Sequence, residues 1–313
     1  MYWIFIILGA LFLACFGGAL YAYHEAFYCR MKGRDELPLM PVGKQYDEKK
    51  KEISSLLDEI SSRPFEPVYI KSFDGTTLFA RYYRVKDGAP VQIQFHGYRS
   101  PALTNFCGGI VTATKLGFNA LVVDQRGIGK SGGYTTTFGI KESLDCIEWI
   151  KYVINTFGED TKIVISGVSM GASTVIMAAG KELPKNVVGV TADCPYSSAK
   201  EIIKMVCKKQ KMPAELLYPF IWLGARIFGG FNLSEGDVTE AVKRAKIPIL
   251  FVHGADDRFV PCEMSKELFE KCTSKKKLEI FEGAGHGLCY VIDTARYEKM
   301  AIEFLSECFS KDI

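Results

Sequence analysis

The chain has 313 residues, 48% of them apolar and 24% charged, with 39 basic and 36 acidic side chains and a formal charge of +3. That length is ample for a core that needs no disulfide or metal support. The composition excludes a disordered chain, and the balanced charge excludes a strongly basic nucleic-acid binder.

The first 23 residues contain no Asp, Glu, Lys, Arg or His. Tyr2 to Ala22 reads as a helix long enough to cross about 30 Å of hydrocarbon. The competing reading is a cleaved signal peptide, with Gly17-Gly18-Ala19 as a small-x-small site. A basic leader is missing and the apolar run is long, so a membrane anchor over residues 1–23 is the expectation. Arg30, Lys32, Arg34, Lys44 and Lys49 to Lys51 all follow the run. The positive-inside rule therefore places the body in the cytoplasm. Ala10, Ala14 and Gly18 form a stripe of small residues on one helix face. The ten cysteines contain no C-x-x-C pair, which fits reduced, buried thiols.

Residues 24–65 read as a polar juxtamembrane connector. Within it, Ile53, Leu56, Leu57 and Ile60 recur at helical spacing, and Pro64 and Pro67 break the chain. Val68 to Ser72 and Thr76 to Val85 flank Asp74-Gly75, a hairpin signal. Short apolar strands follow at Val91 to Phe95, Asn119 to Val123, Lys162 to Ser166, Val187 to Ala192, Ile247 to Val252 and Lys277 to Phe281. Helical stretches accompany them at about 101–116, 138–157, 170–182, 263–273 and 294–309. Strands without alternation point to a mostly parallel eight-stranded sheet covered on both faces. Residues 195–245 are too long for one crossover. A basic helix (Lys200 to Lys211) and an aromatic stretch (Leu216 to Trp222) there are expected to form a helical cap over a pocket.

Gly167-Val168-Ser169-Met170-Gly171 lies between the strand KIVIS and the helix ASTVIMAAG. A nucleophilic serine needs such a tight strand-to-helix turn, and small residues two places to either side permit it. The N–H of Met170, opening the helix, points toward a developing oxyanion. Of four histidines, His286 in Gly283-Ala284-Gly285-His286-Gly287 is the best base, because its loop follows the last strand. His96 is read as a prop for its loop. The orienting acid should come from the loop after the penultimate strand, where Asp256 and Asp257 both qualify; Asp193 is a third option. His96-Gly97-Tyr98 supplies the second oxyanion donor, the Tyr98 N–H. Asp124 to Gly132 spells both a dinucleotide fingerprint and part of a P-loop. Neither a first P-loop glycine nor a following helix is present, so a structural turn braced by Asp124 and Arg126 is expected.

The set HGY, DQRGIGKSGG, GVSMG, HGADDRFVP and GAGHG, in this order over about residues 66–310, resembles the α/β-hydrolase superfamily. Within it the chain is similar to bacterial membrane-anchored lysophospholipase-like and serine aminopeptidase-like hydrolases. The resemblance implies an α/β-hydrolase domain over 66–313 with a cap insert at about 195–245. Matching D-x-x-V-P onto Asp257 to Pro261 selects Asp257 as the acid. It implies a Ser169, His286, Asp257 triad with Tyr98 and Met170 as oxyanion donors, no cofactor, and no nucleic-acid partner. The expected reaction is hydrolysis of hydrophobic carboxylic esters, such as a lysophospholipid or monoacylglycerol. A serine peptidase and a non-catalytic membrane-tethered module are the alternatives.

Overall fold

The computed structural model describes residues 2–29, 40–41 and 43–310. Three helices precede the first strand: α1 (Tyr2–Ala26), α2 (Lys44–Asp47) and α3 (Lys50–Ser61). The hairpin β1 (Glu66–Lys71) and β2 (Thr77–Tyr83) follows, antiparallel. Gly75 turns it at φ 83°, and the Thr76 N–H donates to Asp74 Oδ1 at 3.1 Å.

Strand and helix then alternate: β3 (Val91–Phe95), α4 (Ala102–Lys115), β4 (Asn119–Asp124), α5 (Ile140–Phe157), β5 (Ile163–Val168), α6 (Met170–Ala179) and β6 (Val187–Asp193). The long interval holds α7 (Ala199–Lys209), α8 (Ala214–Ile227), one 3-10 turn at Leu233–Glu235 and α9 (Val238–Arg244). The chain closes with β7 (Ile249–Gly254), α10 (Cys262–Lys271), β8 (Lys276–Phe281), α11 (Cys289–Ile292) and α12 (Thr294–Phe309).

The eight strands form one sheet in the order β1-β2-β4-β3-β5-β6-β7-β8. β2 pairs with β4 antiparallel, and every pair from β4 to β8 is parallel. Ile93, Leu121, Ile165, Val190 and Phe251 are fully buried, as expected of strands covered on both faces. The registers Phe95 with Gly167, Val168 with Asp193 and Gly254 with Phe281 align the carboxyl ends of the strands at one edge. The loops that leave that edge hold Ser169, Asp257 and His286, at the edge where open parallel sheets usually bind ligands.

One strand sits two residues later than its hydrophobicity suggests. β7 runs from Ile249, because Pro248 has no N–H to give and contributes only its carbonyl, which accepts from the Val190 N–H at 2.9 Å. The strand then continues through His253 and Gly254, paired with Ile280 and Phe281.

The segment read as a connector packs on the body. Phe27 is fully buried, edge-on to Phe231 and Phe138 at centroid distances of 5.1 and 5.8 Å. The Cys29 N–H donates to the Tyr134 carbonyl at 2.6 Å, and the Thr136 N–H to that of Phe27 at 2.9 Å. Ile53, Leu57 and Ile60 of α3 are buried with Phe106 and Ile110 of α4, while Leu56 is half-buried. An amphipathic stripe needs a partner face, and α4 supplies it.

The Asp124 to Gly132 segment is a brace. The Asp124 carboxylate accepts from Arg81 at 2.7 Å and from the Lys130 N–H at 3.1 Å. Arg126 clasps both oxygens of Asp145, at 2.7 and 2.6 Å, and reaches Asp74 at 2.9 Å. Every charge in this buried set is paired, which a buried ion needs.

Candidate active site

Ser169 links β5 to α6 at φ 55°, a conformation that costs on the order of 1–3 kcal/mol for a residue with a side chain. The surroundings enforce it. The Ser169 N–H donates to the Asp193 carbonyl at 2.8 Å. A Cβ on Gly167 would collide with the Gly171 carbonyl, and one on Gly171 with that of Phe95. Both glycines are therefore fixed by close backbone approach. Met170 is buried as the first residue of α6.

The loop after β8 carries His286, whose Nδ1 lies 2.7 Å from Asp257 Oδ2. The other Asp257 oxygen accepts from the N–H groups of Phe259 and Val260, at 2.7 and 2.9 Å. Burial acts to raise the Asp257 carboxyl, but hydrogen bonds from His253 and His286, together with the charge of His286, hold it well below the usual carboxylate range. The carboxylate thus accepts a hydrogen bond from the Nδ1–H of His286, which leaves Nε2 as the free acceptor. Asp256 is exposed and spends its own N–H on the Ala284 carbonyl.

His253 also reaches the acid. Its Nε2 stands 3.3 Å from Asp257 Oδ2 and 2.9 Å from the Val260 carbonyl. Ser265 Oγ lies 2.6 Å from Nδ1. Two acceptors facing Nε2 place the proton there and leave Nδ1 to accept from Ser265. Asp193, at the end of β6, is buried with Oδ1 unpartnered. Burial pushes its carboxyl up to about 6.

Ser169, Asp193, Tyr98 and His286 line one cavity of about 440 Å³. The Tyr98 loop is fixed on three sides. His96 Nε2 accepts from the Gln125 N–H at 2.9 Å while Nδ1 donates to the Gly97 carbonyl at 2.8 Å. Burial lowers the His96 pKa and keeps the ring neutral for that task. Asn105 Oδ1 takes the Gly97 N–H at 2.5 Å, and the Tyr98 hydroxyl donates to the Ala26 carbonyl at 2.8 Å.

Sequence reasoning overlooked Gln45 and Tyr46, which also line the cavity. The Tyr46 hydroxyl donates to the His286 carbonyl at 3.1 Å, and the His286 N–H donates to Gln45 Oε1 at 3.3 Å. Burial pushes the Tyr46 hydroxyl up to about 12, so it stays a donor. Consecutive side chains thus occupy both backbone groups of His286. A metal has a poor seat among the described residues. Cys194 Sγ, Asp257 and His286 offer atoms within 4.8 Å of one another. Asp257 and His286 are already bonded together, and the other Asp257 oxygen is taken by two backbone N–H groups.

Two family models match the chain: the alpha/beta hydrolase fold over residues 95–206, and the serine aminopeptidase family S33 over residues 223–290. Among relatives, protein YqkD of Bacillus subtilis is 30% identical over 61% of this chain and 63% of its own length. The chain therefore spans less than two thirds of that relative. Protein bem46 of Schizosaccharomyces pombe is 25% identical over 78% of this chain and 77% of its own. Among solved structures, an esterase from Pyrococcus furiosus superposes with a TM-score of 0.65 at 25% identity, covering 87% of this chain and 97% of that one. The chain has the α/β-hydrolase fold, with an eight-stranded, mostly parallel sheet and one apolar N-terminal helix.

Proposed function

We propose that this chain, an α/β-hydrolase by fold, is a membrane-anchored serine hydrolase that cleaves carboxylic esters with hydrophobic acyl groups. The observation that carries the reading is the juxtaposition of a strained Ser169 elbow and an Asp257-bonded His286 on one cavity. Ser169 Oγ attacks the ester carbonyl while His286 Nε2 takes its proton. Asp257 holds the ring in the required tautomer and stabilises the imidazolium. The N–H groups of Tyr98 and Met170 receive the tetrahedral oxyanion. His286 then protonates the departing alcohol, and a water repeats the sequence to release the acid. Among the described residues, the expected cap segment, 195–245, contributes none to the cavity lining, so the choice of a lysophospholipid or monoacylglycerol rests on the apolar N-terminal helix and the family resemblance.

The test is activity-based labelling. A fluorophosphonate labels the wild type, short p-nitrophenyl esters are turned over, and Ser169→Ala abolishes both. Labelling that persists in that variant, or its absence from the folded wild type, sinks the assignment; the latter points to a non-catalytic module. The match of residues 223–290 to serine aminopeptidases favours a peptidase as the second reading. Turnover of aminoacyl anilides without ester turnover would select it, whereas ester rates that rise with chain length select the lipid.

The anchor reading rests on α1, 25 residues with Ala19 its one buried member. The cytoplasmic placement rests on the charges after the helix, of which Arg30, Lys32 and Arg34 lie outside the described residues. Protease added outside intact cells should leave the body uncut.

A further inference from the structure

The anchor helix meets the cap at close range. A Cβ on Gly18 would press on the Phe220 ring at 3.0 Å, and one on Gly224 would strike the Ala19 carbonyl at 2.5 Å. The Phe16 and Tyr23 rings lie 5.1 and 5.9 Å from that of Phe228. Two glycines, one on each helix, thus let α1 and α8 cross closely over Phe16 to Tyr23. The small-residue stripe of α1 has its partner here, at Gly18. No free swivel follows. Phe27 is in the core, and the loop bordering the cavity ties to the end of α1 through Tyr98 to the Ala26 carbonyl and Arg99 to that of Tyr28, at 2.8 and 2.7 Å.

Position along α1 fixes the depth of α8. About 20 helical residues span the hydrocarbon of a bilayer. Counted from Tyr2, they end near Tyr21, inside the stretch that α8 covers. The outer side of α8 is apolar at that level. Leu216, Leu223 and Ile227 recur at i, i+7 and i+11 and so share one face. Leu216 is 65% and Ile227 49% exposed. Phe220, the residue that touches α1, borders this face, so the apolar surface runs from the anchor onto the cap without a break. Lys208, Lys211 and Arg226 are exposed on α7, the α7–α8 turn and α8.

We infer that α8 is an in-plane interfacial helix, clamped to the membrane-spanning α1 and embedded by its Leu216, Leu223 and Ile227 face in the bilayer surface. The inference rests on the anchor reading above. The cap is then held at the membrane rather than swinging above it. The Tyr98 wall of the cavity stands at the base of the anchor, where an amphiphilic ester can enter from the lipid.

Depth-dependent quenching tests this on the full-length protein in phosphatidylcholine vesicles brominated at shallow or at deep acyl positions. In a Trp3→Phe, Trp222→Phe background, Trp149 remains as a fully buried internal control. Leu216→Trp and Ile227→Trp are placed separately at exposed sites, and Leu11→Trp reads α1. The expected result is the greatest loss of emission with deep bromines at 11 and with shallow ones at 216 and 227, matching the ~5–10 Å burial of an in-plane helix. Quenching at 11 with none at 216 and 227 overturns the inference and leaves the anchor standing; the α8 face would then look onto water or another copy of the chain. No quenching at 11 removes the anchor and the inference with it.

Discussion

His286 is held from two sides by different chemistry. On the ring side, the carboxylate of Asp257 accepts a hydrogen bond from Nδ1–H at 2.7 Å and is itself held by two backbone N–H groups. On the backbone side, Gln45 and Tyr46 make two neutral bonds at 3.3 and 3.1 Å. The ring side belongs to the sheet's own loops, and the backbone side to an arm that precedes the first strand. A charge-assisted bond is worth roughly twice a neutral one. The ring side therefore holds the imidazole more firmly and fixes its tautomer, and the backbone side steadies the loop that carries it.

The comparison breaks first at the acid. Asp257→Asn should lower kcat by on the order of 10⁴-fold, because the ring loses the partner that fixes its tautomer. The same substitution should cost stability at neutral pH. Because Asp257 is held below its ordinary value, its stabilisation is present above about pH 4 and fades as pH falls through the lower folded value. Unfolding of the two proteins at neutral and acid pH should therefore converge on acidification.

Asp193 sharpens the contrast as a buried carboxyl whose Oδ1 has no partner. Its rise from 3.8 to about 6 corresponds to about 3 kcal/mol. The sign is the reverse of Asp257. A raised acid penalises the folded state once ionised, so the penalty is absent below about pH 4 and complete above about pH 6. Asp193→Asn should leave thermal unfolding unchanged at pH 4 and raise its midpoint at pH 8. Equal midpoints at pH 8 would refute that account.

The smallest effect is expected on the backbone side. Tyr46→Phe and Gln45→Ala each remove one neutral bond worth about 0.5–1.5 kcal/mol, which predicts a fall in kcat of roughly 3- to 10-fold. Measured KM should stay near the wild-type value, and the rate of fluorophosphonate labelling should fall in parallel with kcat. A larger loss than that of Asp257→Asn would invert the comparison.

What the residues alone disclose follows the range of the forces involved. The elbow is legible because its sterics are local: Gly167, Ser169 and Gly171 lie within one turn, and the strand and helix flank them. The sheet is legible because its strands are continuous apolar runs, and β7 is misplaced only where Pro248 cuts the ladder. The choice among Asp193, Asp256 and Asp257 needed family likeness, since all three stand at strand ends. In the structure, the bond to His286 distinguishes Asp257. The arm is invisible to pattern reading. Tyr46 sits in a charge-dominated run, KQYDEKKKE, and its hydroxyl meets a carbonyl 240 residues away. Phe27 likewise falls in the segment read as a polar connector, and the aromatic cage of Phe138 and Phe231 makes it core.

The continuity of α1 with the body bears on how such a protein is handled in the test tube. Trimming an apolar leader to obtain a soluble enzyme is routine where a loose tether joins the two. Here a cut before Ala26 would uncover the Phe220 and Phe228 rings, and a cut after Tyr28 would also strip Tyr98 and Arg99 of the carbonyls that steady their loop. The trimmed protein would carry bared aromatic rings on α8 or a loosened Tyr98 loop, and its measured properties would not be those of the intact chain.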